Sequence, residues 1–342
     1  MTTNKLHTRL IRLVFTFYIL IHFLVFSINI YSQEIPNIKF DRISSENIKF
    51  ERGLSQNVIY CILQDDEGFM WFGTWDGLNR YDGYDFNIYT MREGLSNATI
   101  RAIIEDDEHK LWIGTEDGLN VIDQQSGNIT LFKHNPEESN SLSNDFITHV
   151  CQGPTGDIWI CTTNGLNRYD QTLNIFTHHN FYSRLTDSTY SNFITKALLD
   201  NEGYLWIGTR FGLFRMDIEN QIFIPFFHSD DPFSLSDNEI LDICQDQDGH
   251  IWVGTANGLN QHEINSNLFI RYFHRPGDPS SLSDNRINVV YEDTYGLLWV
   301  GTNNKLNIFM RESGQFQQYT QTSKNNSLSN DDIQSIYEDD AN

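Results

Sequence analysis

Basic residues are scarce in this sequence. Lys and Arg number 23 against 46 Asp and Glu, giving a net charge of −23. Nucleic-acid binding rests on neutralising phosphates, so this balance disfavours it, and it equally disfavours an anionic membrane surface. Helical periodicity is missing as well, since beyond the N-terminal leader no run spaces its apolar residues at helical intervals over a helical length. The familiar chemical motifs leave no trace. His-x-Glu, His-Glu-x-x-His and Cys-x-x-Cys are absent, which leaves zinc without support, and there is no Gly-x-Ser-x-Gly elbow or phosphate-cradling glycine loop. A glycosidase-type pair of carboxylates stays open because carboxylates are abundant. Much of that acid recurs in turns (Asp65-Asp66-Glu67, Glu105-Asp106-Asp107, Glu292-Asp293), which reads as a solvated structural role rather than an acidic binding face.

What the chain has instead is a repeat. Trp-Ile/Val/Phe-Gly-Thr starts at Trp71, Trp112, Trp159, Trp206, Trp252 and Trp299, at intervals of 41, 47, 47, 46 and 47 residues, with Cys161 for Gly in the third copy. Twelve residues before each Trp stands Ile59, Ile100, Ile147, Ile194, Ile240 or Ile287, and seven after it Leu78, Leu119, Leu166, Leu213, Leu259 or Leu306. Three before it stands Gly68, Gly156, Gly203, Gly249 or Gly296, with His109 the exception. Asp-Gly or Asn-Gly follows the second run in four units, a strong hairpin signal; Phe211-Gly212 and Asn304-Lys305 depart. The last full unit gives four β-rich runs: Ile287–Glu292, Leu297–Thr302, Leu306–Met310 and Gln315–Tyr319. A period in this range with four antiparallel strands describes a β-propeller blade, in which the recurring Trp, Ile and Leu pack blade on blade.

The ends differ from the repeats. Lys5, Arg9 and Arg12 precede an apolar stretch from Leu13 to Ile30, and Ser32 precedes Gln33-Glu34. Residues 1–32 therefore read as a secretory signal peptide or, if uncleaved, a membrane anchor. Ser327-Leu328-Ser329 begins a seventh unit that stops with Asn342 on the Gly position of the turn. The expected fold is all-β: residues 33–342 form a β-propeller of six complete four-stranded blades and a truncated seventh, whose outer strand would come from Ile38–Ile43 or Ile48–Phe50.

Against this register the remaining residues can be sorted. Cys151 and Cys244 share an apolar slot eight residues before the Trp, so buried reduced thiols are expected, with a Cys151–Cys161 bridge as the alternative. His134, His178, His228 and His274 all follow a fourth run and belong to the lattice. A residue demanded by a ligand need not repeat. In the loop between second and third strands Trp75, Arg210, Phe211 and Lys305 break the pattern. The segment between blades three and four replaces the Ser-Leu-Ser start with Thr189-Tyr190-Ser191 and carries His179, Phe181, Tyr182 and Arg184. Aromatic faces with Arg and planar polar groups suit a sugar surface, so Trp75, Arg210, Phe211, Lys305, His179, Tyr182 and Arg184 are the ligand-binding candidates. No catalytic residue, metal ligand or cofactor is expected.

The register Gly53-Leu54-Ser55-Gln56-Asn57, Gln64-Asp65, Gly68-Phe69-Met70-Trp71-Phe72-Gly73-Thr74 and Asp76-Gly77-Leu78-Asn79-Arg80-Tyr81-Asp82-Gly83 resembles the two-component regulator propeller repeat, and the resemblance runs from Phe40 to Asn342. Such repeats are typical of hybrid two-component sensors of the Bacteroidetes. The resemblance implies a parent with two periplasmic seven-bladed propellers, an immunoglobulin-like domain, a membrane span, a histidine kinase, a receiver and a helix-turn-helix region. It further implies oligosaccharide sensing, control of polysaccharide-utilisation genes, a homodimer in the full-length protein and anchorage in the inner membrane. The family's kinase His and phospho-acceptor Asp match nothing in this sequence, so no enzyme activity is expected of this chain. The alternatives are a stand-alone exported propeller that binds protein partners, and a glycan-cleaving propeller enzyme.

Overall fold

The computed structural model describes residues 53–179, 192–263, 266–322 and 327–340. The leader, Ile38–Ile43, Ile48–Phe50, Tyr182, Arg184 and Asn342 lie outside them. The described residues are all-β, with 24 strands in six four-stranded antiparallel sheets, each in sequence order, arranged as the blades of a propeller ring. In blade six the strands are Ile287–Glu292, Leu298–Thr302, Leu306–Met310 and Gln315–Tyr319, so only the second begins one residue later than its apolar run.

The repeated residues do pack blade on blade. Trp112 and Leu119 of blade two share a core cluster with Ile147, Val150 and Ile158 of blade three. Trp252 and Leu259 of blade five do the same with Ile287 and Val290 of blade six. Each such buried aromatic contributes about 3 kcal/mol of apolar burial. Glycine in the tetrapeptide is explained by close approach: a Cβ at Gly254 would lie 2.8 Å from Ile287 Cγ2, and one at Gly114 would lie 2.6 Å from Ile147 Cγ2. In register, Leu63, Ile104, Cys151, Leu198, Cys244 and Tyr291 all face the Trp of their blade. Cys151 pairs with Trp159 and Cys161 with His149, and all four cysteines are free thiols.

Two readings need correction. The first Asp of each turn is not solvated: Asp65, Asp106, Asp200, Asp246 and Asp293 are buried, and each accepts the Trp indole N–H of its own blade at 2.7 to 2.8 Å. The other carboxylate oxygen takes a backbone N–H of the turn, as in Asp246 with His250 at 2.8 Å. The role is structural, but it works by desolvated hydrogen bonds. Blade three has Gly153 in that slot, and its Trp159 Nε1 is buried with no partner. His178 also differs from the other lattice histidines. It lies inside the fourth strand Ile175–His179, where Nε2 meets Ser141 O at 2.7 Å, whereas Nδ1 of His134, His228 and His274 meets a Leu carbonyl just beyond that strand.

After blade six, Ser327–Asp340 forms no strand but repeats the bonds that join blades. A Cβ at Gly301 would lie 2.7 Å from Ile333 Cγ2, as at the other junctions. Thr294 N donates to Glu338 Oε2 at 2.8 Å, the counterpart of Asp66 N to Glu105 Oε2 at 2.7 Å. Asp340 N donates to Gln64 Oε1 of blade one at 2.7 Å. This segment thus touches both blade six and blade one.

Candidate functional site

Every first strand carries a β-bulge one residue after its Ile. The ladder slips between Ile59 and Cys61, Ile100 and Ala102, Ile194 and Lys196, Ile240 and Asp242, and Ile287 and Val289, while in blade three Thr148 is skipped. A bulge re-aims side chains that simple alternation would send to opposite faces. Here it brings both residues after the Ile to the wall of an axial cavity of about 270 Å³. The pairs are Tyr60-Cys61, Arg101-Ala102, Thr148-His149, Thr195-Lys196, Leu241-Asp242 and Asn288-Val289, joined by Gln334-Ser335-Ile336. No two pairs match, although the Ile before them never changes.

Charge at this wall sits on Arg101 and on the pair Lys196 and Asp242. Lys196 Nζ donates to Asp242 Oδ1 at 2.9 Å, and Asp242 Oδ2 accepts Val290 N–H at 2.8 Å. Burial works against the Lys196 charge, but the Asp242 carboxylate outweighs it and holds the ammonium above its ordinary range. Burial, with Lys196 adding to it, pushes His149 well below the usual histidine value; its Nδ1 accepts Ala197 N–H at 3.4 Å. Burial drives Cys61, Cys151 and Cys244 up to about 12, the opposite of an activated nucleophile.

At one end of the cavity stand the loops between second and third strands. Gly77 N–H reaches Ala98 O at 2.8 Å and Gly258 N–H reaches Asn285 O at 2.7 Å, which fixes each loop to the start of the next blade. A Ser–Thr–Asn cluster repeats beneath them: Ser236 Oγ lies 3.0 Å from Thr255 Oγ1 and accepts from Asn260 Nδ2 at 2.9 Å. In blade four the sequence register has Tyr190 and Phe214 at the Ser and Asn positions. Arg101 joins cavity to rim, with its Nε on Glu116 Oε1 at 3.0 Å and its guanidinium 4.2 Å from the Tyr60 ring.

Trp75 and Arg210 occupy one rim slot on blades one and four. Trp75 is 61 % exposed, and the Arg210 guanidinium lies 4.0 Å from the Phe193 ring. Phe211, next in the loop, is half-buried. Lys305 sits where Gly is usual, with φ of 87°, and its Nζ turns to Gln318 Oε1 at 3.0 Å on the outer strand. His179 pairs with Leu166 and lies 4.9 Å from Trp159 between ring centroids, in the slot that Tyr89, Phe226 and Tyr272 fill in other blades. The described candidates therefore divide, Trp75 and Arg210 at the rim and Lys305 and His179 against outer strands. The cavity pairs went unnoticed in the sequence, although their failure to repeat was a readable signal. Among the described residues, two clusters bring His and carboxylate ligand atoms within 4.8 Å of one another, Asp66-Glu105-His109 and Asp246-Asp248-His250. Both are tied into turns, the first by Asp66 N to Glu105 Oε2 at 2.7 Å and the second by Trp252 and Arg311 on Asp246.

The fold and the rim define a repeat propeller with an axial cavity. Five stretches, residues 53–76, 94–117, 141–164, 234–257 and 281–304, match the family described as two component regulator propeller. Five of the six blades thus carry a two component regulator propeller repeat. The repeat left unmatched is blade four, where the sequence register has Tyr190 and Phe214 at the Ser and Asn positions. Among solved structures, the chain is similar to the extracellular domain assigned to the hybrid two component system BT3049 of B. thetaiotaomicron, at 25% identity and TM-score 0.75, over 88% of this chain and 39% of that one. It is also similar to the extracellular domain assigned to the hybrid two component system BT4673 of B. thetaiotaomicron (22% identity, TM-score 0.56, 83% of this chain and 40% of that one). Virginiamycin B lyase from Staphylococcus aureus shares the fold alone, at 14% identity and TM-score 0.57, over 78% and 85% of the two chains. The chain spans about two fifths of the length of the first two structures. No curated protein matches it.

Proposed function

We infer that this chain is the ligand-sensing propeller segment of a hybrid two-component sensor histidine kinase, exported to the periplasm by residues 1–32, and that it detects an oligosaccharide to control polysaccharide-utilisation genes. The observation that carries the reading is the likeness to the BT3049 extracellular domain over 88% of this chain, together with five repeats of the matching family. Full-length, the protein is a homodimer anchored in the inner membrane. The bonds of Ser327–Asp340 to blades six and one support a ring of seven positions, with residues 33–342 as a propeller whose seventh blade is incomplete. Trp75, Arg210 and Phe211 on the rim are the residues proposed to meet the sugar, with Tyr182 and Arg184 as further candidates from the sequence; Lys305 and His179, against outer strands, are the more remote ones.

Calorimetric titration with oligosaccharides released from a panel of plant and animal polysaccharides tests this. One preparation should bind, and Trp75→Ala and Arg210→Ala should each weaken it by about tenfold. No binding by any preparation, with capture of a specific protein instead, would favour a protein-binding propeller. Release of shorter sugars on incubation would favour a glycan-cleaving enzyme.

A further inference from the structure

The axial cavity is chemically different from the rim. Two adjoining residues from every blade reach its wall through a bulge, and no two blades carry the same pair there. Blade packing does not require a charge there, because Ala102 and Val289 fill the same slot as Lys196 and Asp242. Desolvating an ion pair is costly, and a pair of hydrophobic residues would serve stability as well or better. Asp242 also bonds Val290 N–H across the blade junction, so it is the Lys196 charge that the scaffold does not need and that, in a concave site, points to a ligand.

Sign and size narrow the ligand. The charged residues of the wall are Arg101, Lys196 and Asp242; Arg101 is held by Glu116 at the rim, so the cation that faces the cavity is Lys196, in a chain whose net charge is −23. Lys196 keeps 30% of its side-chain surface open and has three N–H donors, one of which is given to Asp242. Thr148, His149 and Asn288 add neutral polar groups. At about 270 Å³ the cavity is smaller than sites for drug-sized molecules and suits a single sugar ring. We propose that the axial cavity binds a small hydroxylated monocarboxylate the size of one sugar acid, with the carboxylate on Lys196 and hydroxyls on the neutral polar wall. This site is separate from the rim and stands whether or not the rim takes an oligosaccharide.

The test is calorimetric titration of the full chain with D-glucuronate, D-galacturonate and D-gluconate, using D-glucuronamide as the uncharged control. At least one acid should bind with Kd of about 1 mM or tighter, and the amide at least about tenfold more weakly. Lys196→Gln should lose the acid by about tenfold or more, and so should the paired variant Lys196→Met with Asp242→Leu, which leaves no charge unpartnered. Absence of binding by all three acids at about 10 mM overturns the proposal, as does undiminished binding by the paired variant when it melts cooperatively. If both variants fail to fold, the wild type decides, since equal affinity for glucuronate and glucuronamide also overturns it.

Discussion

Asp246→Asn tests the bond on which five of the six blades are pinned. Asp246 is buried, Oδ1 accepts His250 N–H at 2.8 Å, and Oδ2 accepts Trp252 Nε1 at 2.8 Å and Arg311 Nη1 at 2.9 Å. The amide has one acceptor oxygen, so its NH₂ must oppose a buried donor on one side. Losing one such bond costs about 1–3 kcal/mol, and the Arg311 bond loses its charge assistance. Glu292 stays on Arg311, so the guanidinium is not left alone. The sum is about 3 kcal/mol, which for a domain of roughly 300 residues lowers Tm by about 5 °C. Burial raises the Asp246 carboxyl, but the Trp252 indole and Arg311 outweigh it and hold it below its ordinary value. A depressed folded-state pKa gives stability that is present above the unfolded value of about 3.9 and fades as pH falls through the folded one. Calorimetric melts at neutral pH should therefore show the full difference between variant and wild type, and melts below about pH 4 a smaller one. A neutral-pH change of less than about 1 °C would refute the reasoning.

Three further outcomes follow from departures among the blades. Trp159→Phe should cost about 1–2 kcal/mol less than Trp252→Phe in urea unfolding, because Trp159 Nε1 has no partner to lose. His262 is lowered to about 4, by burial first and then by Arg215, so below about pH 6.5 the unfolded chain takes a proton that the folded chain refuses. Its contribution to stability falls between those values and is flat above them. His262→Phe, which puts in that slot the residue type that Phe309 supplies in blade six, should remove up to about 3 kcal/mol of this decline at pH 4, and an unchanged pH profile would contradict it. Lys305→Gly should raise stability by about 0.5 kcal/mol, since relief of a positive φ outweighs a half-exposed bond to Gln318; a loss of stability would show the bond to dominate.

The strands were legible because six copies in register average out local ambiguity. Ile287–Glu292 and Gln315–Tyr319 matched their runs, and Leu298 differed from the expected start by one residue. The free thiols were legible for the same reason, since Cys151 and Cys244 share a slot with Leu63 and Ile104, although both are half-buried rather than buried. The buried turn carboxylates were misjudged because Glu-Asp-x-x-Gly looks like any solvated turn, and only the constant six-residue step from Asp246 to Trp252 or Asp293 to Trp299 betrays the indole bond. The axial cavity was missed for a geometric reason. Period-two alternation assigns Thr195 and Lys196 to opposite faces, and a bulge that turns both to one wall has no signature in residue type.

The central claim is that this propeller is the sensing segment of a kinase-bearing protein, and the DNA directly downstream of the Asn342 codon tests it most directly. The account predicts an open frame, directly or after one frameshift, into a Trp-Ile-Gly-Thr-like segment and later a histidine kinase. A stop codon with no kinase gene nearby would contradict it and leave an exported binding propeller in its place.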